Sequence, residues 1–223
     1  MREVEIPMFD DEAGKQLAEI LSAMKDNVEL VMFTQEAGCD TCADTRIFIE
    51  EFGAISDKVK VTVLDFVEDK VRADELGVDK VPAVVVLDKE GTNTGVKFYG
   101  IPAGYEINSL THAVLAVSGE KEEIPEDLLE RIRKIDRPVH IEVFVGVTCP
   151  YCPPAVVTSN IFALENENIR SDMIEGSTFP QLLLRHNIMG VPAIVIDDSI
   201  VLSGAQPVEK MLDAIEGATP EGS

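Results

Sequence analysis

The sequence predicts an α/β protein made of two tandem units, each a mixed central sheet with helices on both faces. Three observations predict it: the order of apolar periodicities, the repetition of that order, and a cysteine pair at the same place in each copy. A shift of 110 positions carries Cys39 and Cys42 onto Cys149 and Cys152. It also carries Val81-Pro82-Ala83-Val84-Val85-Val86 onto Val191-Pro192-Ala193-Ile194-Val195-Ile196. Between these anchors it pairs Phe52 with Phe162, Val59 with Ile169, Asp65 with Glu175 and Val78 with Ile188. An unchanged offset means that both halves space their elements alike.

In the first half, residues 10–25 read as a helix with Leu17, Ile20, Leu21 and Met24 on one stripe. Residues 29–33 are a buried strand, followed by a loop and a helix that Cys39 opens and that runs to about Ile55. Residues 59–65 form a strand and 69–76 a short helix. Residues 83–87 and 96–99 form a hairpin around Lys89-Glu90-Gly91-Thr92-Asn93, and 106–117 close the unit as a helix. The second half gives a helix at 125–135, a strand at 139–145, a helix after Cys149, a strand near 169–174 and a helix at 179–186. A hairpin of 193–196 and 200–202 around Asp197-Asp198 leads to a last helix at 208–215. Gly100 and Gly204 end the second hairpin strands and read as turn or bulge glycines. Strand–helix–strand, then helix, then hairpin and helix implies a mixed sheet covered on both faces. The polar segment 118–124 is the junction, giving domains of 1–118 and 119–223.

Composition narrows the function. An apolar fraction of 45% supports a buried core, and no apolar run is long enough to span a membrane. The first residues, Met1-Arg2-Glu3-Val4-Glu5, lack the basic stretch and apolar core of a secretory signal, so the cytoplasm is the expected location. A net charge of −22, shared about equally by the halves, works against binding nucleic acid or anionic membranes.

Cys39 and Cys149 each follow an apolar strand at the start of a helix, where free amides and the helix dipole favour thiolate over thiol. A second cysteine three residues on returns to the same helical face and can attack a mixed disulfide. The spacing supplies both halves of dithiol–disulfide exchange. One zinc ion shared by the four cysteines is the alternative, but 106 residues separate the pairs, whereas knuckles closing one site usually lie close together. A purely structural bridge over a four-residue loop would constrain the unfolded chain little. His112, His140 and His186 lie far in sequence from these motifs and read as ordinary helix or strand residues, so neither a Cys–His hydrolase nor a metal ligand set is expected.

A Cys-x-x-Cys at a helix start, with Val-Pro ahead of an apolar strand about 40 residues on, resembles the thioredoxin superfamily. Cys149-Pro150-Tyr151-Cys152 is similar, letter for letter, to the glutaredoxin active-site tetrapeptide. Two such units in tandem resemble the glutaredoxin-like protein disulfide oxidoreductases of thermophilic archaea and bacteria, over nearly the whole chain. The resemblance implies two tandem thioredoxin-like folds with Cys39 and Cys149 as attacking thiols and Cys42 and Cys152 as resolving thiols. It implies redox-active disulfides Cys39–Cys42 and Cys149–Cys152 with no other cofactor, and cis-prolines at Pro82 and Pro192. Val81 and Val191 would then offer main chain to an extended substrate.

The residues between the cysteines tune the potential. Asp40, beside Thr41, opposes a neighbouring thiolate and can cap the helix, whereas Pro150, beside Tyr151, suits a first helical position, so the second pair is expected to be the more oxidising. The absence of tryptophan and the Pro153-Pro154 that follows Cys152 depart from the family, the prolines being expected to bend the helix. A protein disulfide oxidoreductase that reduces, forms or isomerises protein disulfides is the expected function. An electron carrier between a thioredoxin-reductase-type flavoenzyme and a peroxiredoxin is the alternative, and a non-catalytic, chaperone-like module the remote one. Only 11 Asn plus Gln residues accord with a thermophile.

Overall fold

The computed structural model describes residues 8–217. The first unit comprises α1 (Asp11–Leu21), β1 (Val28–Thr34), α2 (Cys42–Ala54), β2 (Val59–Asp65), α3 (Lys70–Glu75), β3 (Ala83–Leu87), β4 (Asn93–Tyr99) and α4 (Ile107–Val117). The second comprises α5 (Glu126–Arg133), β5 (Val139–Val145), α6 (Cys152–Glu165), β6 (Ile169–Glu175), α7 (Pro180–Arg185), β7 (Ala193–Ile196), β8 (Ile200–Ser203) and α8 (Val208–Gly217). A short 3-10 turn, Gly104–Glu106, leads into α4.

The two units share one eight-stranded sheet in the order β2-β1-β3-β4-β6-β5-β7-β8. They join where β4 pairs in parallel with β6, from Val96↔Ser171 to Tyr99↔Ile174. Within each unit the first two strands are parallel and the hairpin is antiparallel. β1 and β5 therefore run in the same direction, and the turns that follow them lie at the same end of the sheet.

Alternation along the strands divides the core in two. Leu30, Met32, Val84, Phe98, Val143 and Ile194 face the larger core, under α1, α2, α4, α5, α6 and α8. Val31, Phe33, Val85, Tyr99, Phe144 and Val195 face a smaller one, covered by α3 and α7 through Ala73, Leu76, Phe179 and Leu183.

Several boundaries differ from the sequence reading. The first helix starts as expected, with the Asp10 carboxylate accepting from the Glu12 and Ala13 amides at 3.1 and 2.8 Å, but it ends at Leu21. There the Ser22 hydroxyl donates back to the Glu19 carbonyl at 2.6 Å. Met24 remains buried, but Ile20 of the expected stripe is 47% exposed. The redox helices begin at Cys42 and Cys152, three residues after the positions predicted to open them. The repeat also slips once. Phe33 pairs with Ala83 and Phe144 with Ala193, so β1 and β5 differ by 111 positions, and the loop before Cys149 is one residue shorter than that before Cys39. Gly100 and Gly204 take positive φ and donate their amides to the Pro82 and Pro192 carbonyls at 3.0 and 2.8 Å.

Candidate active site: two redox turns at one edge of the sheet

Each redox turn sits where an apolar strand leaves the sheet and a helix begins. Cys39 and Cys149 are half-buried, whereas Cys42 and Cys152 are buried within the first turn of α2 and α6. Each pair is closed as a disulfide. One sulfur of each pair thus meets solvent while its partner faces the core, Cys152 lying among the larger cluster. This asymmetry suits an attacking and a resolving thiol.

The intervening residues depart from expectation. Asp40 is exposed and does not cap α2; Thr41 occupies the N-cap and makes no side-chain cap bond. Pro150 lies in the turn before α6, exposed like its neighbour Tyr151, so it is not at a first helical position. Pro153 and Pro154 instead occupy the first turn of α6. Their missing N–H groups belong to donors a helix start leaves free in any case, and the helix runs on to Glu165. The bend expected from them is unnecessary for that reason.

The Val81–Pro82 and Val191–Pro192 peptide bonds are both cis and lead into β3 and β7. The Val191 carbonyl oxygen lies 3.8 Å from Cys149 Sγ. Tyr151 in the second turn and Val191 at its cis bond are exposed apolar side chains, as are Leu184 on α7 and Met189 on the loop that leads to Val191, Met189 almost completely so. Before the first cis bond, Lys80 places its ammonium 3.8 Å from the centre of the Tyr99 ring.

Two features of this region were not legible in the motifs. The first is Glu106, fully buried although it belongs to the first unit. Its 3-10 turn packs on the second unit's redox turn, with the Tyr105 amide donating to the Val147 carbonyl at 3.0 Å. Burial pushes the Glu106 carboxyl up to about 7, against the lowering effect of the Ser109 hydroxyl that donates to it at 2.5 Å. No periodicity marks it: its signal is only an acid at the head of a strongly apolar helix.

The second is a charged row across the seam, Lys97 on β4, Asp172 on β6 and Glu142 on β5, aligned by strand register and buried. Lys97 Nζ lies 3.7 Å from Asp172 Oδ1, and His140 Nε2 lies 2.7 Å from Asp172 Oδ2. Burial acts to raise the Asp172 carboxyl, but the His140 hydrogen bond and the charges of Lys97 and His140 outweigh it and hold it low. His140 and His186 are therefore not ordinary strand and helix residues. The first partners a buried carboxylate, and the second is buried at the end of α7.

Two units of this topology, each with its cysteine turn and cis-proline at the same sheet edge, define a tandem thioredoxin-fold protein. The thioredoxin domain family model matches residues 139–216. The NTD_N/C domain of the alkylhydroperoxide reductase AhpF from Enterococcus faecalis superposes with a TM-score of 0.87 at 30% identity, over 93% of this chain and 99% of that one. A protein disulfide oxidoreductase from Aeropyrum pernix gives 0.86 at 29% identity, over 93% and 92%. The F subunit of alkyl hydroperoxide reductase from Staphylococcus epidermidis is 30% identical over 97% of this chain. The chain spans about two-fifths, 39%, of the length of that curated relative. It belongs to the thioredoxin superfamily, among the members that carry two Cys-x-x-Cys centres in tandem.

Proposed function

We propose that the chain is a protein dithiol–disulfide oxidoreductase of the reductase and isomerase type, in which Cys39 and Cys149 attack and Cys42 and Cys152 resolve. The observation that carries this reading is the repeated asymmetry of the pairs, one sulfur half-buried and its partner buried. In the reducing direction the Cys149 thiolate attacks a substrate disulfide and expels one substrate sulfur as thiolate. Cys152, deprotonated, then attacks the Cys149 sulfur of the mixed disulfide and expels the second. The Cys149–Cys152 disulfide forms, and two electrons pass to the substrate. Val191, exposed beside Cys149, offers main chain to an extended segment of the substrate, while Tyr151, Leu184 and Met189 supply apolar contact. Pro192 fixes this approach, and Pro82 with Val81 takes the same role at the first turn. Asp40, Thr41, Pro150 and Tyr151 set the two potentials.

The substrates are protein disulfides and dithiols, with no cofactor beyond the two disulfides and with the cytoplasm as the place of action. A second reading has a specific support: relatives named as the F subunit of alkyl hydroperoxide reductase match 97% of the chain. In it the chain carries electrons from a thioredoxin-reductase-like flavoenzyme to a peroxiredoxin.

The test is reduction of insulin disulfides by dithiothreitol with wild type, Cys39→Ser, Cys149→Ser and the Cys39→Ser/Cys149→Ser double variant. Wild type accelerates the reaction, and the double variant does not. No acceleration by wild type would overturn the function. Loss in Cys149→Ser alone assigns turnover to the second turn and makes the first an accessory with a partner of its own, whereas equal retention gives two independent sites.

A further inference from the structure

We propose that His186, Glu142 and Asp198 form a binding site for one divalent transition-metal cation, separate from the cysteines. His186 Nε2 lies 3.7 Å from Glu142 Oε2 and 3.6 Å from Asp198 Oδ1, and the three atoms lie within 4.8 Å of one another. The His186 side chain is only 4% exposed and that of Glu142 8%. Among the described residues, His186 Nε2 is buried with no hydrogen-bond partner, since both carboxylates stand beyond hydrogen-bond reach. A polar ring nitrogen shut away from water normally has a partner. Here it points instead at two oxygens held slightly too far for a proton to bridge.

That spacing fits a cation between them. Ligands bonded at 2.0–2.2 Å and arranged tetrahedrally stand about 3.4 Å apart, so the two distances from His186 need to shorten by only a few tenths of an ångström, and the two carboxylates, within 4.8 Å of each other, draw together around the ion. Asp198 can make that movement, because it sits exposed on the β7–β8 turn, whereas Glu142 is fixed on β5. Arg185 Nη2, 3.1 Å from Asp198 Oδ1, is a largely exposed partner that can shift to the other carboxylate oxygen. One imidazole with two carboxylates is a nitrogen–oxygen donor set that suits zinc(II) or cobalt(II) rather than a soft ion, and it leaves a fourth position to water.

Its place in the fold gives the site a consequence. It ties the end of α7 to β5 and to the β7–β8 turn. The segment 187–191, which starts with left-handed Asn187 (φ 54°) and ends at Val191 beside Cys149, leaves directly from the ligand His186. A bound cation therefore fixes the root of the loop that faces the second redox turn.

The experiment titrates zinc(II) calorimetrically, and cobalt(II) by visible absorption, into the full chain with both disulfides closed, so that no thiolate competes. Wild type is expected to bind one equivalent, with the absorption of a nitrogen–oxygen site, and to melt at a higher temperature with zinc(II). His186→Ala is expected to abolish binding and Asp198→Asn to weaken it at least tenfold. Asparagine keeps the turn, because it tolerates the positive φ of 58° at this position. No saturable binding by the oxidised wild type overturns the site, as does unchanged affinity in Asp198→Asn, which decides the matter even if His186→Ala does not fold.

Discussion

At the scale of single residues, the second redox turn packs against a 3-10 turn of the other unit that carries a buried acid. Glu106 belongs to the first unit yet packs with the turn before Cys149. Its carboxyl titrates near 7, well above the usual 4.5, because it is buried. A carboxyl with a raised folded value favours the folded state while it is protonated in both states, and that advantage fades as the pH climbs from its unfolded value through its folded one. The wild type should therefore lose up to about 3 kcal/mol between pH 5 and 8 from this group. Glu106→Gln, which cannot ionise, should escape that loss. Urea unfolding of both proteins across that range checks it: a stability difference that does not change with pH would remove the argument. The cysteines, the Val-Pro pairs and their duplication were legible in the sequence because the chemistry fixes their spacing. Glu106 and His186 were not, because what makes them unusual is burial, and burial depends on which distant element covers them.

At the scale of elements, β2, β3, β5 and β7 fall where the sequence places them; β3 and β7, buried at every position, are apolar throughout, whereas β2 and β5 set polar residues among their apolar ones. Helix ends were less legible. The redox helices start at the resolving cysteine rather than the attacking one, because a turn must first carry the chain from the strand end to the helix axis. Gly104 shows how closely two elements meet there. Its φ is +62°, and an added Cβ would stand 2.1 Å from the Val147 carbonyl oxygen. Backbone cannot swing aside as a side chain can, so Gly104→Ala must part the 3-10 turn from the redox turn. A cost of about 2 kcal/mol or more is expected, from the left-handed backbone and the clash together. Gly204 has φ +76° and nothing within 4 Å, so Gly204→Ala isolates the backbone cost alone, about 1 kcal/mol. Gly104→Ala should also change the rate at which dithiothreitol opens Cys149–Cys152 while leaving Cys39–Cys42 as in wild type. Equal melting temperatures for the two variants would show that the turns do not meet so tightly.

At the scale of the molecule, the repeat predicted two units but not the seam that makes them one sheet. Apolar periodicity marks a strand without naming its neighbour, and the β4–β6 pairing joins residues that belong to different copies of the repeat. The shared sheet puts both redox turns at one edge, but β1 and β5 are four strands apart, about 19 Å at the usual strand spacing. Sulfurs at that separation cannot exchange directly, so each pair must meet its own substrate or donor. Stability follows a different logic. If the second unit unfolded alone, β4 would become an edge strand. Phe98 and Tyr99, now 0% and 1% exposed on opposite faces, would lose cover along with the face of α4 that packs on α6. Uncovering side chains of this kind costs about 1.5–3 kcal/mol each when complete, a large part of what usually holds a domain together. The two units should therefore unfold as one. Cys42 and Cys152 report on this separately, because each is buried in its own unit. In a Cys39→Ser/Cys149→Ser variant, each remaining thiol should become open to alkylation at the same urea concentration, coincident with the loss of far-ultraviolet circular dichroism. If Cys152 were labelled in an earlier transition while Cys42 stayed protected, the seam would be a contact between independently stable halves, and the sheet would be continuous in hydrogen bonding but not in cooperativity.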